Sequence, residues 1–364
     1  MKISVSPNGT NHYETPGPAD EVLVGTADGI VELTRSGSGW RQSGHWLEGR
    51  HVASITVEPR SEAIFAGLHG GGLWGSEDGG ATWERRDNGI EFDNIYGLNH
   101  VYAGDELRLY AGTEPAHLYV SRDHGETWRE LSSLRSVPSV NDWMFPAPPH
   151  VAHVKHVTFD PRSADTIYAS VEVGGAFKST DAGQTWRQLS GFFEDVHRLE
   201  VTAARPDHVF MGNGIGVYHS SDAGETWEQL TDRTARIAYP DLVIVHPRKP
   251  DTVFIAGAIC GPGDWRQTKT ADARIARSRD GGKHWQYLEG GLPAHIHGNI
   301  EGLALNVRSG GSELFAGTTD GDVFFSDDEG DTWSTIARGI GAVSKGGHYL
   351  ALPTDGMPME AAAH

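Results

Sequence analysis

The sequence predicts an all-β protein that folds as a single seven-bladed β-propeller. One observation is an eight-residue word, Ser-x-Asp-x-Gly-x-Thr-Trp, that recurs six times along the 364 residues. A second is that each copy stands between two runs of β-forming residues bounded by Gly and Pro. A third is an eroded seventh unit ahead of the first copy. Self-similarity at a regular interval indicates a repeat architecture, and four strands in about 40–50 residues are typical of a propeller blade.

The six words predict six similar turns. The fifth has His284 in place of Thr, and the copies end at Trp83, Trp128, Trp186, Trp227, Trp285 and Trp333. In such a turn the Asp accepts backbone N–H groups, and the Gly adopts a conformation that a Cβ atom hinders. The Trp is expected to pack its apolar face between neighbouring sheets. We therefore predict a structural role for the six Asp residues rather than a catalytic one.

The strands around each word follow a common order. A short apolar strand ending in Ala-Gly or a similar pair precedes the word, as at residues 64–67, and a Gly-rich turn and a further strand lead into it. An earlier alternating strand ends on Pro, as at residues 52–59. The eroded unit contains residues 22–25 and Trp40. These runs, bounded by Gly, Pro and Asp, are typical of strands and hairpins, and the units add up to seven blades.

The predicted boundaries are an N-terminal extension at residues 1–21, the propeller at 22–352 and a C-terminal tail at 353–364. Residues 347–352 are predicted as the inner strand of the first blade. The ring would then close by pairing of the N- and C-terminal segments, which removes free sheet edges. Two stretches, near 131–150 and 260–273, are longer than the repeat requires. Long insertions on a repetitive scaffold tend to be functional loops.

Composition excludes several classes of partner. The formal net charge is −19, with 30 Lys and Arg against 49 Asp and Glu. This charge argues against a nucleic acid or an anionic membrane surface, because both need clustered cations. The single Cys260 forms no internal disulfide. The first residues lack an apolar stretch of signal-peptide length, and no run reaches the length of a membrane span, so a cytoplasmic location is expected.

Aligning the blades places a set of His and Glu residues at the central channel. We predict five catalytic residues, which either follow the Ala-Gly pairs or open the inner strands: His69, Glu114, His153, Glu172 and His197. In this hypothesis His153 or His197 is the general base, Glu172 is the acid, and His69 and Glu114 orient them. The alternative is that these groups only line a wet channel, bonded to water and to each other.

The same cluster could hold a divalent transition metal. His69, His153, Glu172 and His197 are the predicted ligands for Zn, Mn or Fe, although no local metal word such as HExxH is present.

Six further residues are predicted to bind substrate: Trp143, Phe145, His156, Tyr239, Trp265 and Arg266. Trp143 and Phe145 lie in the first insertion and could form an apolar wall, or instead a plug that holds the loop. Trp265 and Arg266 lie in the second insertion, where cationic contacts to an acidic sugar and simple solvation are both open. Tyr239 opens a strand, which is also consistent with packing.

The repeated words resemble the Asp-boxes of the BNR-repeat β-propellers, which include sialidases, xyloglucanases and photosystem assembly factors. The resemblance covers residues 22–352 and implies the propeller fold and, for its enzymatic members, glycoside hydrolysis. Sialidases of this group carry a Phe-Arg-Ile-Pro-type word and three substrate-binding arginines, which Arg35, Arg41 and Arg50 do not match, so a typical sialidase is not expected. Xyloglucanase-like members pair two propellers, whereas this chain has one. The assembly factors are secreted proteins that bind another protein.

Two functional hypotheses follow. The first is a hydrolase or lyase that acts on a small or glycan-like substrate with the axial His/Glu cluster, with or without the help of a metal. The second is a non-catalytic scaffold that binds a protein or a ligand on the face that bears the long loops. Convergence of the predicted residues in one place favours the enzyme, and scatter favours the scaffold. The sequence leaves the oligomeric state open.

Overall fold

Seven sheets form the blades of the protein, which confirms the predicted seven-bladed, all-β propeller. The computed structural model describes residues 1–37 and 39–347, apart from the side chain of Arg266. Six sheets have four strands and one has five. Among the described residues, no helix has both the length and the apolar character needed to cross a membrane.

The chain begins with two short strands, β1 (Ile3–Val5) and β2 (His12–Thr15), and then builds the blades in order. Blade 1 contains β3 (Glu21–Thr26), β4 (Gly29–Ser36) and β5 (Gly39–Trp46). Blade 2 contains β6 (His51–Val57), β7 (Ile64–His69), β8 (Gly72–Ser76) and β9 (Glu84–Arg85). Blade 3 contains β10 (Asn94–Ala103), β11 (Glu106–Glu114), β12 (Leu118–Ser121) and β13 (Arg129–Glu130). Blades 4 and 5 add β14 (Val154–Asp160), β15 (Ser163–Val171), β16 (Gly175–Ser179), β17 (Arg187–Gln188); and β18 (Val196–Thr202), β19 (Arg205–Asn213), β20 (Gly216–Ser220), β21 (Glu228–Gln229). Blades 6 and 7 add β22 (Tyr239–Val245), β23 (Val253–Ala258), β24 (Arg274–Ser278), β25 (Gln286–Tyr287); and β26 (Ile300–Arg308), β27 (Gly311–Thr318), β28 (Val323–Ser326), β29 (Ser334–Ala337).

The two predicted insertions contain the helical segments of the described chain. Two 3₁₀ segments, Ser132–Ser136 and Pro138–Asp142, lie in the first insertion, and α1 (Pro262–Thr268) lies in the second. Neither insertion joins a sheet through these segments. Both are therefore loops on the repetitive scaffold.

The N-terminal segment differs from its prediction as an extension outside the propeller. β1 pairs in parallel with β3 and supplies the inner strand of blade 1, the place predicted for residues 347–352. β2 pairs in parallel with β26 and gives blade 7 its fifth strand. Residues 348–352 lie outside the described residues. Because β1 is only three residues long and its pairing is non-local, its sequence carries too weak a periodicity to predict it.

The chain between β1 and β2 crosses the channel. The Asn8 N–H donates to the Ala53 carbonyl of blade 2 at 3.2 Å, and the Leu305 N–H of blade 7 donates to the Asn11 carbonyl at 2.8 Å. From blade 5, Arg198 Nη2 donates to the Gly9 carbonyl at 3.1 Å. The Leu98 N–H of blade 3 also donates to the Asn8 carbonyl, so this crossing segment ties four blades together from inside the ring.

Each repeated word forms the same hydrogen-bonded turn, as predicted. In the first copy the Gly80 N–H donates to Ser76 Oγ at 2.8 Å, and Ser76 Oγ donates to Asp78 Oδ1 at 2.9 Å. Asp78 Oδ1 also accepts the Thr82 N–H at 2.8 Å. In the fifth copy the ring of His284 takes the place of the Thr hydroxyl, with Nδ1 2.6 Å from the Asp280 carboxylate. The turn therefore tolerates His because the Asp keeps a partner.

The hydrophobic core lies between neighbouring blades, and two glycines show how closely the blades approach. A Cβ atom on Gly112 of blade 3 would lie 2.4 Å from the Val154 carbonyl oxygen of blade 4. A Cβ atom on Gly212 of blade 5 would lie 3.0 Å from the Pro240 carbonyl oxygen of blade 6. The Gly of the recurring Ala-Gly pair thus leaves room for the next inner strand.

Candidate functional site

Six inner strands carry a β-bulge at the same place, and the bulged residues build the candidate site. In each case one residue is skipped in the pairing with the next strand: Ala53, Tyr96, Lys155, His197, Asp241 and Glu301. A bulge re-aims a side chain and is common beside active sites. All six residues are buried. Five of them are polar or ionisable, so the repeated bulge directs a set of polar side chains towards the channel.

The centre of the site is a histidine held between two glutamates. His153 Nε2 lies 2.6 Å from Glu172 Oε2, and its Nδ1 lies 3.4 Å from Glu114 Oε2. His153 is fully buried and stacks on the Tyr96 ring with a centroid separation of 3.8 Å. The Asn94 side-chain amide donates to Glu114 Oε1 at 3.1 Å. The imidazole is thus fixed in place by partners on both sides.

Two buried lysines balance the acidic groups. Lys155 Nζ donates to Glu172 Oε1 at 3.0 Å and lies 3.5 Å from Asp241 Oδ1. Lys345 Nζ donates to Asp241 Oδ1, and the Lys345 backbone N–H donates to Glu301 Oε2 at 3.0 Å. The Asn299 amide donates to Asp241 Oδ2 at 2.6 Å. These contacts link blades 4, 6 and 7 and the C-terminal segment through one polar network.

A third group of residues lies where blades 4 and 5 meet. His197 Nδ1 lies 2.9 Å from the Pro240 carbonyl, and Nε2 lies 3.4 Å from Asp195 Oδ1 and 3.8 Å from Glu172 Oε1. One ligand atom from each of Glu172, Asp195 and His197 lies within 4.8 Å of the others. These three residues are the set that could hold a metal ion among the described residues. The set shares Glu172 and His197 with the predicted ligands, and it contains neither His69 nor His153.

The network shifts the pKa values of its members. Burial alone would lower the pKa of His153, but its hydrogen bonds to Glu114 and Glu172 outweigh burial and raise it. Burial alone would raise the pKa of Glu172, but Lys155 and Lys345 outweigh it and hold that pKa well below its usual range. Burial lowers the pKa of Lys155. A proton is therefore favoured on the imidazole and disfavoured on its carboxylate partner.

The site lies beneath two covers. The Phe145 ring of the first insertion packs edge-on against His153 with a centroid separation of 5.0 Å. The C-terminal segment covers the other side, where the Val343 N–H donates to the Thr318 carbonyl at 2.9 Å. In that segment the Ser344 carbonyl lies 2.6 Å from His51 Nε2. Lys345 enters the acidic network from the same segment.

Most of the predicted catalytic residues do converge. His153, Glu172, His197 and Glu114 belong to one network, and the Tyr239 ring lies 4.6 Å from the His197 ring, centroid to centroid. The His69 ring lies 5.9 Å from the Tyr96 ring, which itself stacks on His153. His69 is thus one aromatic ring removed from the centre.

Three predicted substrate-binding residues lie elsewhere. Trp143 is partly buried and packs on Phe177, with a centroid separation of 5.2 Å, against the core between blades, which favours the plug over the wall. Trp265 is fully buried in a small cluster inside its own loop, so it presents no surface to a ligand. His156 lines a separate cavity of about 320 Å³ together with β2, towards the other end of the channel. His156 directly follows the bulged Lys155, where the register of the strand shifts. The side chain of Arg266 lies outside the described part of the chain.

Five residues of the network were not predicted from the sequence: Lys155, Asp195, Asp241, Glu301 and Lys345. Three of them stand two positions after a predicted inner-strand start, so a period-two argument could have found Lys155, Asp241 and Glu301. Asp195 stands two positions before His197. Lys345 has no such signal, because the C-terminal segment reaches the channel without repeating any part of a blade.

Comparison with known proteins supplies a family and a fold. The family model of the DUF6242 beta propeller domain matches residues 21–299. The oligoxyloglucan-reducing end-specific xyloglucanase of Emericella nidulans is 36% identical over 137 residues, which is 33% of this chain and 16% of that protein. A probable enzyme of the same name from Neosartorya fischeri is 26% identical over 176 residues, 48% of this chain and 19% of that protein. The chain therefore spans less than a fifth of the length of either relative.

Solved structures show the same fold at low identity. The GH74 xyloglucanase from Xanthomonas campestris superposes with a TM-score of 0.68 at 18% identity, covering 93% of this chain and 56% of that one. An ancestral GH74 enzyme gives 0.60 at 16% identity, with 79% and 38% covered. YCF48 from Cyanidioschyzon merolae gives 0.55 at 16% identity, with 86% and 97% covered. At these identities the likeness is one of propeller architecture.

Proposed function

The chain belongs to the family of DUF6242 β-propeller domains, and on that premise we propose that it is a hydrolase or lyase acting on a small, glycan-like substrate at one end of its channel. The observation that carries the proposal is the buried pair of His153 and Glu172, with Glu114 on the far side of the imidazole. A base or acid held by a second group that is itself oriented is the arrangement that proton transfer requires.

The pair can carry out the proton transfers that hydrolysis and elimination each require. The proposal exchanges the two roles predicted from the sequence, because the network favours the proton on His153 and not on Glu172. The imidazolium of His153 donates its proton to the leaving oxygen as the glycosidic carbon–oxygen bond breaks. In hydrolysis the Glu172 carboxylate takes a proton from the attacking water; in elimination it takes one from the carbon beside the departing oxygen. Glu114 holds the imidazole ring and stabilises its positive charge. Lys155 keeps the Glu172 carboxylate ionised, so that it remains a base.

The substrate class rests on the relatives and on the polarity of the site. Both curated relatives are named as xyloglucanases, and an enzyme of that name provides a solved structure of the same fold. The site itself offers amide, carboxylate, imidazole and ammonium groups, which suit the hydroxyl groups of a sugar. A single propeller makes this a site at the channel rather than a cleft between two propellers. Entry of a substrate requires Phe145 or the segment of Ser344 and Lys345 to move aside.

A substrate panel with paired variants tests the proposal. Xyloglucan oligosaccharides, other neutral oligosaccharides and uronic-acid oligosaccharides are incubated with the protein, and products are identified by mass spectrometry. The test variants are Glu172→Gln and His153→Gln. The matched controls are Glu130→Gln and His117→Gln. His117 Nδ1 and Glu130 Oε1 lie 2.8 Å apart and form a similar pair, but they do not belong to the channel network.

The expected result is turnover of one substrate class that falls at least about 100-fold in both test variants and stays near wild type in both controls. Equal turnover in the test variants and the controls contradicts the assigned roles. Binding of an oligosaccharide without any turnover supports the alternative, a non-catalytic scaffold.

A further inference from the structure

We propose that Glu172, Asp195 and His197 form a binding site for one divalent transition metal ion at the junction of blades 4 and 5. Glu172 follows the end of β15, Asp195 precedes β18, and His197 is the bulged residue of β18. The site goes beyond the proposed function: it shares Glu172 with the His153 pair, but it is argued from the contacts of Asp195 and His197. Its test does not depend on any turnover.

The tautomer of His197 directs a lone pair towards the proposed metal site. Its Nδ1 lies 2.9 Å from the Pro240 carbonyl oxygen, which can only accept, so Nδ1 bears a proton. In the neutral form of the ring the lone pair is then on Nε2, which lies 3.4 Å from Asp195 Oδ1 and 3.8 Å from Glu172 Oε1. Three acceptor atoms therefore face one another. Lys155 compensates Glu172 Oε1, whereas Nε2 and Asp195 Oδ1 oppose each other unfavourably unless a positive charge lies between them.

Two of the proposed ligand atoms lack hydrogen bonds. His197 Nε2 and Asp195 Oδ1 are both buried, and neither has a hydrogen-bond partner among the described residues. Buried polar atoms are nearly always bonded, so an unpaired pair that converges on one point indicates a ligand. Asp195 is the most accessible of the three residues, with 16% of its side chain exposed, against 2% for Glu172 and 0% for His197. An ion can therefore approach from the side of Asp195.

The spacing suits a metal ion better than it suits a direct contact. A hydrogen bond between an imidazole and a carboxylate has its heavy atoms about 2.7–2.9 Å apart, shorter than either distance here. Two ligand atoms bound about 2.1 Å from a tetrahedral zinc ion lie about 3.4 Å apart. One imidazole and two carboxylates suit Zn, Mn or Fe and balance a double positive charge. The Pro240 carbonyl is the outer partner that metal-bound histidines usually have.

Lys155 is the group with which the metal competes. Its ammonium donates to Glu172 Oε1 at 3.0 Å, the same oxygen that faces His197. Its Nζ also lies 3.5 Å from Asp241 Oδ1, a second partner to which it can turn. Metal binding at Glu172 therefore shifts Lys155 towards Asp241. Removing this ammonium is expected to strengthen metal binding.

The experiment measures metal directly. Untagged protein, purified without chelators, is analysed for its metal content by elemental analysis, then stripped and titrated with Zn²⁺, Mn²⁺ and Co²⁺ by calorimetry. The test variants are Asp195→Asn and His197→Gln. The controls are Asp207→Asn and His208→Gln, which change the same residue types in the same blade, on β19. The visible absorption of bound Co²⁺ reports the ligand set independently.

The expected result is about one equivalent of metal in the wild type and both controls, with affinity at least about tenfold lower in both test variants. Lys155→Met is expected to change the affinity in the opposite direction, by about tenfold upwards, which a general loss of folding does not produce. No uptake of any of the three ions at millimolar concentration overturns the site, and so does unchanged affinity in Asp195→Asn. Either failure leaves the His153 pair and its substrate test untouched.

Discussion

Replacing Lys345 with Met tests how strongly the C-terminal segment is held in the channel. The ammonium of Lys345 donates to Asp241 and also faces Glu301 and Glu172, while its side chain is only 5% exposed. Burial alone would lower the pKa of Lys345, but the three carboxylates raise it well above its usual range, so the group stays charged. The Met side chain keeps most of the volume and removes the charge. Asp241 then keeps Asn299 and, farther away, Lys155 and His197 as partners.

The cost follows from the burial of the pair. Removing one partner of a buried ion pair costs about 3–5 kcal/mol, because the other charge is left uncompensated. An unfolding entropy of about 2.1 cal/mol/K per residue gives about 0.75 kcal/mol/K for a chain of this length. We therefore expect the unfolding midpoint of Lys345→Met to fall by about 4–7 °C. Circular dichroism during heating, together with urea unfolding at neutral pH, measures both quantities.

Lys249→Met is the matched control for this substitution. Lys249 also pairs with a carboxylate, that of Glu329, but its side chain is 52% exposed. Exposed pairs contribute about 1 kcal/mol or less, so its midpoint is expected to stay within about 2 °C of wild type. The double variant Asp241→Asn/Lys345→Met is expected to lose less free energy of unfolding than the sum of the two single variants, because in the double variant neither charge of the pair is left without its partner. Equal midpoints for the two Lys→Met variants would refute the reasoning about burial.

Two further predictions concern stability away from the site. Burial alone would raise the pKa of Glu58, but hydrogen bonds from Ser61 and Tyr102 outweigh it and lower the pKa to about 2. The pKa of Glu58 in the folded protein is thus below its value in the unfolded chain, so its contribution to the free energy of unfolding is complete above about pH 4.5 and is lost as the pH falls towards 2. In Glu58→Gln, the free energy of unfolding measured in urea should therefore depend less on pH between pH 5 and 3 than in the wild type. An unchanged dependence on pH would contradict this. Gly112→Ala would bring a Cβ atom within 2.4 Å of a backbone carbonyl of the next blade and should cost about 1–3 kcal/mol, whereas Gly17→Ala meets nothing within 4 Å. Equal unfolding midpoints in urea for these two Gly→Ala variants would show that the blades can move apart.

Much of the fold could be predicted because its signals are local and repeated. Ser76, Asp78, Gly80 and Thr82 bond within one turn, so the word carries its own structure wherever it occurs. Six copies and one eroded unit were therefore enough to predict seven blades. The innermost strand of blade 1 was not predictable in this way, because β1 is short and pairs with β3 after a long connection.

The residues of the candidate site also fall into those that the repeat pattern predicts and those that it does not. The sequence by itself placed His153, Glu172, His197 and Glu114 near the axis, since equivalent positions of successive blades must face the same channel. Only the tertiary structure showed that His156, the neighbour of Lys155 in the chain, lines the other cavity, because a bulge at Lys155 interrupts the regular pairing of the strand. Only the tertiary structure brought Lys345 to the acidic network as well. A repeat fixes what each blade presents, but contacts between blades and with the chain ends depend on distances that no local pattern encodes.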